Sequence, residues 1–80
     1  MADVPDELIR LERSAQEERA ALAGLTGDEY EAQWRRWRAA SEAARAAVTR
    51  RAETTGADEH ELEQAVQKAV RQGQEDPAVE

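Results

Sequence analysis

Trp34-Arg35-Arg36-Trp37-Arg38 gathers the residue types in this chain best suited to recognition chemistry. Indoles interleaved with guanidiniums can stack nucleobases while the cations hold phosphates. The same residues also have an ordinary structural use. Trp34 and Trp37 are the bulkiest apolar side chains of a sequence without Phe. At helical spacing they anchor a core while Arg solvates the other face. The spacing favours that second reading, so both indoles are expected to be substantially buried, within the chain or across a dimer contact. Arg38 follows Trp34 by four residues and is placed to cap it by a cation–π contact. The interaction surface drawn from this region comprises Tyr30, Trp34, Trp37, Arg35, Arg36, Arg38 and Arg45.

Other chemistry finds less support. His60 is the single His, with Glu59, Glu61 and Glu63 beside it. One His and no Cys do not make a typical zinc site, and carboxylates on an open helix face are ordinarily solvated. Ser14 and Ser41 have no His at a useful helical spacing, and nothing resembles a nucleophile elbow or a phosphate loop. Gly24 and Gly27 flank a turn. The expectation is therefore no enzyme, with no catalytic, cofactor-binding or metal-ligating residue and no small-molecule substrate.

Three helices must position these residues. The first is expected over 4–23, with Pro5 tolerated in its first turn. Asp6 and Glu7 there complement the helix dipole. Val4, Leu8, Leu11, Ala15, Glu18, Leu22 and Leu25 recur in alternating steps of four and three, a heptad stripe. Glu18 is the flaw in that seam. Either it meets a basic neighbour, Arg35 or Arg38, or it sits at the edge with its carboxylate in water. The second helix is expected over 27–55, with Thr26 as N-cap, Glu29 completing a capping box and Leu25 with Tyr30 as a staple. Gly56 supplies the left-handed stop. Its stripe reads Tyr30, Trp34, Trp37, Ser41, Ala44, Val48 and Arg51, and Glu31 and Arg35 form a favourable spaced pair on its surface. The third helix is expected over 59–72, with Asp58 as N-cap, Glu61 as its partner, and Leu62, Ala65, Val66, Ala69 and Val70 as the apolar face. Gly73 is read as its stop, residues 1–73 as one domain, and 74–80 as a disordered acidic tail.

Composition sets limits on this. Ala supplies 17 of the 80 residues, so the core is thin for its length. A short chain without Cys has oligomerisation left as its remaining staple. Net charge is −7. Residues 1–31 hold nine acids against three Arg, a balance of −6; residues 32–52 hold six Arg against Glu42, a balance of +5. Residues 53–80 hold eight acids against Lys68 and Arg71, again −6. Acidic arms against a basic middle helix suit a packed three-helix arrangement. They disfavour nonspecific nucleic-acid binding by the whole chain. Ten Arg to one Lys, with so much Ala, points to a GC-rich genome. No apolar run reaches membrane-span length, and the acidic N-terminus lacks signal-peptide regions; the expectation is a cytoplasmic protein without membrane contact.

The strings Pro5-Asp6-Glu7-Leu8-Ile9, Gln33-Trp34-Arg35-Arg36-Trp37-Arg38 and Glu61-Leu62-Glu63-Gln64-Ala65-Val66-Gln67-Lys68-Ala69-Val70-Arg71 resemble those of short uncharacterised helical proteins from high-GC Gram-positive bacteria. That resemblance implies a bacterial origin and a helical fold, and no activity. The expected fold is all-α: an antiparallel helical hairpin with a shorter third helix packed on the long second helix. The expected function is a noncatalytic protein–protein interaction or assembly module, with a protein partner or a homodimer. Two alternatives stand behind it: a nucleic-acid-associated regulator using the Arg-rich face of the second helix, and a small acidic inhibitor or antitoxin covering a basic partner.

Overall fold

The computed structural model of the protein describes residues 4–75, with side chains through residue 73. Three helices account for nearly all of it: α1 (Asp6–Ala20), α2 (Gly27–Thr55) and α3 (Glu59–Glu75). No strand occurs among the described residues, and no helix there is long and apolar enough to cross a membrane.

The helix ends follow local chemistry, with some departures from expectation. α1 closes at Ala20 rather than Ala23, because the chain winds tighter there. Leu22 N–H donates to Arg19 O at 3.1 Å and Ala23 N–H to Ala20 O at 3.2 Å, both three-residue bonds of 3₁₀ type. Gly24 then takes a left-handed φ of 84° and turns the chain toward α2. Thr26 occupies the N-cap position of α2 in extended conformation, but its side chain makes no capping bond. The capping box expected with Glu29 is therefore absent. Asp28 and Glu29 still place negative charge in the first turn, where the dipole favours it. At the other end Gly56 takes φ 77°, and its N–H donates to Ala52 O at 2.8 Å, the left-handed stop expected there. Asp58 caps α3 through a bond from Glu61 N–H to its Oδ2 at 3.0 Å.

Gly73 does not stop α3. The helix continues through it to Glu75. A Cβ built at Gly73 would lie 2.9 Å from Arg13 Nη2. The glycine thus marks where α3 passes close under an α1 side chain. Of the expected tail, Gln74 and Glu75 belong to α3, and 76–80 lie outside the described residues.

The core is small and lies toward the C-terminal end of α2. Leu8 of α1, Val48 and Ala52 of α2, and Leu62 and Val66 of α3 form one buried cluster, with Val4 and Ala47 packed against it. Val66 and Val70 are the most completely enclosed side chains. All seven positions of the α1 stripe are buried or half-buried. Contacts run in opposite order along the first two helices: Leu8, early in α1, joins Val48 and Ala52, late in α2. Glu18, late in α1, reaches Gln33, early in α2. Near Ser41, Ala44 and Val48 all three helices meet, with Glu12 and Val66 lining the same small space. α3 packs against α1 as well as against α2. Thr49 Oγ1 donates to Glu59 Oε2 at 2.8 Å and ties the start of α3 to α2.

The expected electrostatic match between helices does not form. Among the described residues the one ion pair is Arg38 Nε with Glu42 Oε2 at 3.3 Å, within α2 and solvent-exposed. The Glu31–Arg35 pair is absent from that set. Apolar burial, not charge, holds the helices together.

Two substitutions separate these terms. Leu62→Ala should lower the unfolding free energy by ~2–5 kcal/mol, the range for a buried Leu truncated in a core. Gly73→Ala should raise it by about 0.5–1 kcal/mol from helix propensity, because the obstructing atom is the mobile end of Arg13. Urea titrations of both variants check this; a strongly destabilised Gly73→Ala variant would show that Arg13 cannot move.

Candidate functional site

The buried face of α2 decides what remains outside. A heptad stripe predicts Tyr30, Trp34, Trp37, Ser41, Ala44, Val48 and Arg51 facing inward. In the structure the inward face is Gln33, half-buried Trp37 and Ser41, then Ala44, Val48 and Ala52. The stripe is right in its middle and wrong at both ends. Gln33 and Ala44, Trp37 and Val48, and Ser41 and Ala52 are each eleven positions apart, the spacing kept by a nearly straight helix at 3.67 residues per turn. A strict seven-residue pattern drifts off that line at its extremes. Tyr30 and Trp34 are consequently left 41% and 38% exposed. Burial of Trp34 within the chain, expected from the stripe, is overturned for this reason.

Gln33 takes the place assigned to the aromatics. Among the described residues it is the one buried polar residue, at 7% exposure. Its Nε2 donates to the Glu18 backbone oxygen at 2.7 Å and to Glu18 Oε1 at 2.6 Å. The Glu18 carbonyl sits in the last turn of α1, where helix carbonyls lose their intrahelical partners. The N–H that would ordinarily serve it, that of Leu22, goes to Arg19 instead. One amide group of α2 thus caps α1 and satisfies the polar residue in its seam. Neither Arg35 nor Arg38 meets Glu18; both lie on faces of α2 turned away from α1, at ~100° per residue of helical rotation. The available signal was Glu18 itself, since a polar seam residue calls for a donor opposite.

The aromatic residues assemble on one shoulder of α2, beside this clamp. The Trp34 and Trp37 rings meet edge to face, with centroids 6.4 Å apart and planes at 69°. The Arg38 guanidinium lies over Trp34 at 5.3 Å, the contact expected from its spacing. Arg19, from the end of α1, lies over Trp37 at 5.8 Å. Sequence reasoning missed Arg19, because nothing local to α2 announces it. The result is a row running Arg38, Trp34, Trp37, Arg19, with Tyr30 one turn before Trp34. Cation–π contacts of this exposed kind contribute ~0.5–1 kcal/mol each.

Two hollows adjoin the row. A shallow one of ≈ 320 Å³ is lined by Tyr30, Glu31, Trp34 and Arg35. A broader groove of ≈ 640 Å³ runs between Arg19, Trp37, Ser41 and the α3 residue Gln67, where α3 stops covering α2. Ser41 and Glu12 both line the broader groove, and the Glu12 carboxylate there accepts from Gln16 Nε2 at 3.1 Å. Of the other residues read as an interaction surface, Arg36 falls on the opposite flank of α2 from Trp34. Arg45 lies farther along, beside Glu63 at the edge of α3. Arg35, Arg36, Arg45, Arg50 and Arg51 form no ion pair with a described residue. His60 is within 3.1 Å of Gln64 Nε2 on the surface of α3. No group of three or more metal-ligating side chains occurs among the described residues.

Compared with protein-family models, with curated proteins and with solved structures, the chain gives no significant match.

The clamp and the shoulder should respond differently to mutation. Gln33→Ala should cost about 1–3 kcal/mol, the range for stranding a hydrogen-bonded buried group. Gln33→Glu should cost more, since it presents a carboxylate to two Glu18 oxygens. Trp34→Ala should cost about 1 kcal/mol or less, whereas half-buried Trp37→Ala should cost roughly 2–3 kcal/mol, below the range for a fully buried Trp. Thermal unfolding followed by circular dichroism ranks the four; equal losses at Trp34 and Trp37 would contradict the placement of the shoulder.

Proposed function

We propose that the protein is a noncatalytic helical interaction module whose contact surface is the α2 shoulder formed by Tyr30, Trp34, Trp37 and Arg38, with Arg19 beside it. In this reading α1 and α2 form an antiparallel hairpin, and the shorter α3 closes its C-terminal half. The observation that carries the proposal is the exposure of Tyr30 and Trp34. A chain with three aromatic residues places all of them on one shoulder and leaves Tyr30 and Trp34 exposed there, with Trp37 half-buried beside them. Tyr, Trp and Arg are the residue types that dominate binding energy at protein interfaces. Stacked Arg side chains preorganise the rings, which lowers the ordering cost of association. The flanking grooves are open to solvent, a shape that suits a partner's surface better than an enclosed small substrate.

A nucleic-acid reading draws on the unpaired Arg residues of α2. It ranks second because those residues are spread around the helix, not along one track. Arg36 and Arg45 face different sides, and Asp28, Glu29 and Glu31 stand next to the aromatics. Phosphate tracking would need the reverse on both counts.

Photo-crosslinking from position 34 tests the proposal. A photoreactive residue at Trp34 should give a discrete protein adduct in cells, lost on Tyr30→Ala, and absent when the photoreactive residue is moved to Arg51 at the far end of α2. Equal crosslinking from both positions, or a salt-sensitive nucleic-acid adduct in its place, would overturn it.

A further inference from the structure

Resting on that reading of the shoulder, we infer that its partner is a second copy of this chain, joined α2 to α2 in antiparallel orientation about a twofold axis at Trp34. The order of residues along α2 carries the inference. The first turn is acidic, with Asp28 and Glu29, and Glu31 follows. The aromatics Tyr30, Trp34 and Trp37 come next, and Arg35, Arg36 and Arg38 overlap and follow them. Acid, ring and base therefore succeed one another along the helix. Turned end for end about Trp34, the segment meets its own complement.

The match holds on both flanks at one register. Glu31 and Arg38 are two turns apart and share the flank of Trp34 that faces away from α1. Tyr30 and Trp37 are also two turns apart and share the flank toward α1. In an antiparallel helix pair related by a twofold axis, like flanks meet, and each contact occurs twice. Centring the pair on Trp34 sets Glu31 of each copy against Arg38 of the other. The same centring sets Tyr30 of each copy against Trp37 of the other, where Arg19 already backs the ring at 5.8 Å. Trp34 then stacks with its own counterpart. Shifting the register by one turn breaks both matches together.

The local state of these groups agrees. Among the described residues, Tyr30 and Trp34 are the two large apolar side chains that the single chain leaves exposed. Glu31 has no ion pair with a described residue. Arg38 has one only, to exposed Glu42, leaving donors for a second carboxylate. α3 ends its cover of α2 near Ser41 and Gln67, so the first half of α2 is open to a partner. A phosphate-bearing partner is disfavoured by the acids inside the patch, and an acidic peptide is disfavoured by Glu31 beside Trp34. The contact covers about three helical turns per copy, and the chains each carry −7. Association is therefore weak and reversible, in the class of small interfaces.

Charge exchange on the full-length protein tests the register. Wild type should show concentration-dependent dimerisation by sedimentation equilibrium across the micromolar to millimolar range. Glu31→Arg alone sets cation against cation, and Arg38→Glu alone sets acid against acid; each should weaken dimerisation by about tenfold or more, since like charges at an interface are strongly unfavourable. An equal mixture of the two variants should recover the dimer, because each then offers the other's complement. Recovery also shows that both variants are folded. Trp34→Ala should abolish the dimer while the helical signal persists. A wild type that stays monomeric throughout, or a dimer indifferent to these three substitutions, would overturn the pairing. If the wild type is monomeric yet Trp34 still crosslinks to a different protein, the second-copy inference fails and the interaction module stands.

Discussion

The hydrogen bonds from Gln33 to Glu18 fix how α1 and α2 lie against each other, and much of the rest follows. Hydrophobic burial is roughly indifferent to small sliding or rotation of one Ala-rich helix on another. A buried amide with two defined acceptors is not. Gln33 Nε2 reaches the Glu18 carbonyl and carboxylate at 2.7 and 2.6 Å, and among the described residues these are the side-chain hydrogen bonds between α1 and α2. Slipping the register by one turn would bury an unsatisfied amide and strand a helix-terminal carbonyl. Holding Gln33 inward also fixes the rotation of α2, and that rotation turns Tyr30 and Trp34 out.

Packing below the clamp is strongly uneven. Ala occupies much of the α2 surface between Ala39 and Ala47, which lets helices approach closely while contributing little area each. The larger apolar side chains gather at the opposite end, where Leu8, Leu62 and Val66 meet Val48 and Ala52. α3 encloses that end and then runs against α1, where Gly73 lies beside Arg13. The chain's two Trp residues lie at the end α3 does not reach, so they are neither core in the usual sense nor isolated surface residues. They are held by each other and by Arg19 and Arg38. The proposed contact function grows out of this unevenness: an ordered aromatic surface at the thinly covered end of a small helical domain.

Charge plays a different part from the one its block pattern suggests. The acidic and basic segments do not neutralise each other across the helix interfaces. Most of these long side chains remain in water, where an ion pair is worth little. The segregation instead survives on the outside, as an acidic first turn followed by a basic stretch along α2. Any partner of the shoulder meets that gradient.

The sequence by itself determined the three helices, both ends of α2 and the start of α3. Gly56, Asp58 and the acidic first turns act through bonds and dipoles within a few residues, so they are legible without knowing the fold. The α1 stripe from Val4 to Leu25 was legible for a similar reason: apolar side chains repeated at helical spacing identify a buried face wherever the partner lies. Tertiary structure decided the rest. Thr26 has a capping residue's identity but no capping bond, and Gly73 is a crossing point instead of a stop, because Arg13 of a distant segment passes over it. The inward face of α2 could not be read from apolar residues alone, since a polar side chain, Gln33, occupies it while Tyr30 and Trp34 leave it. Which of two adjacent stripes turns inward depends on what stands opposite. For α2 the deciding group was an unpaired carbonyl on another helix, and no periodicity within α2 records it.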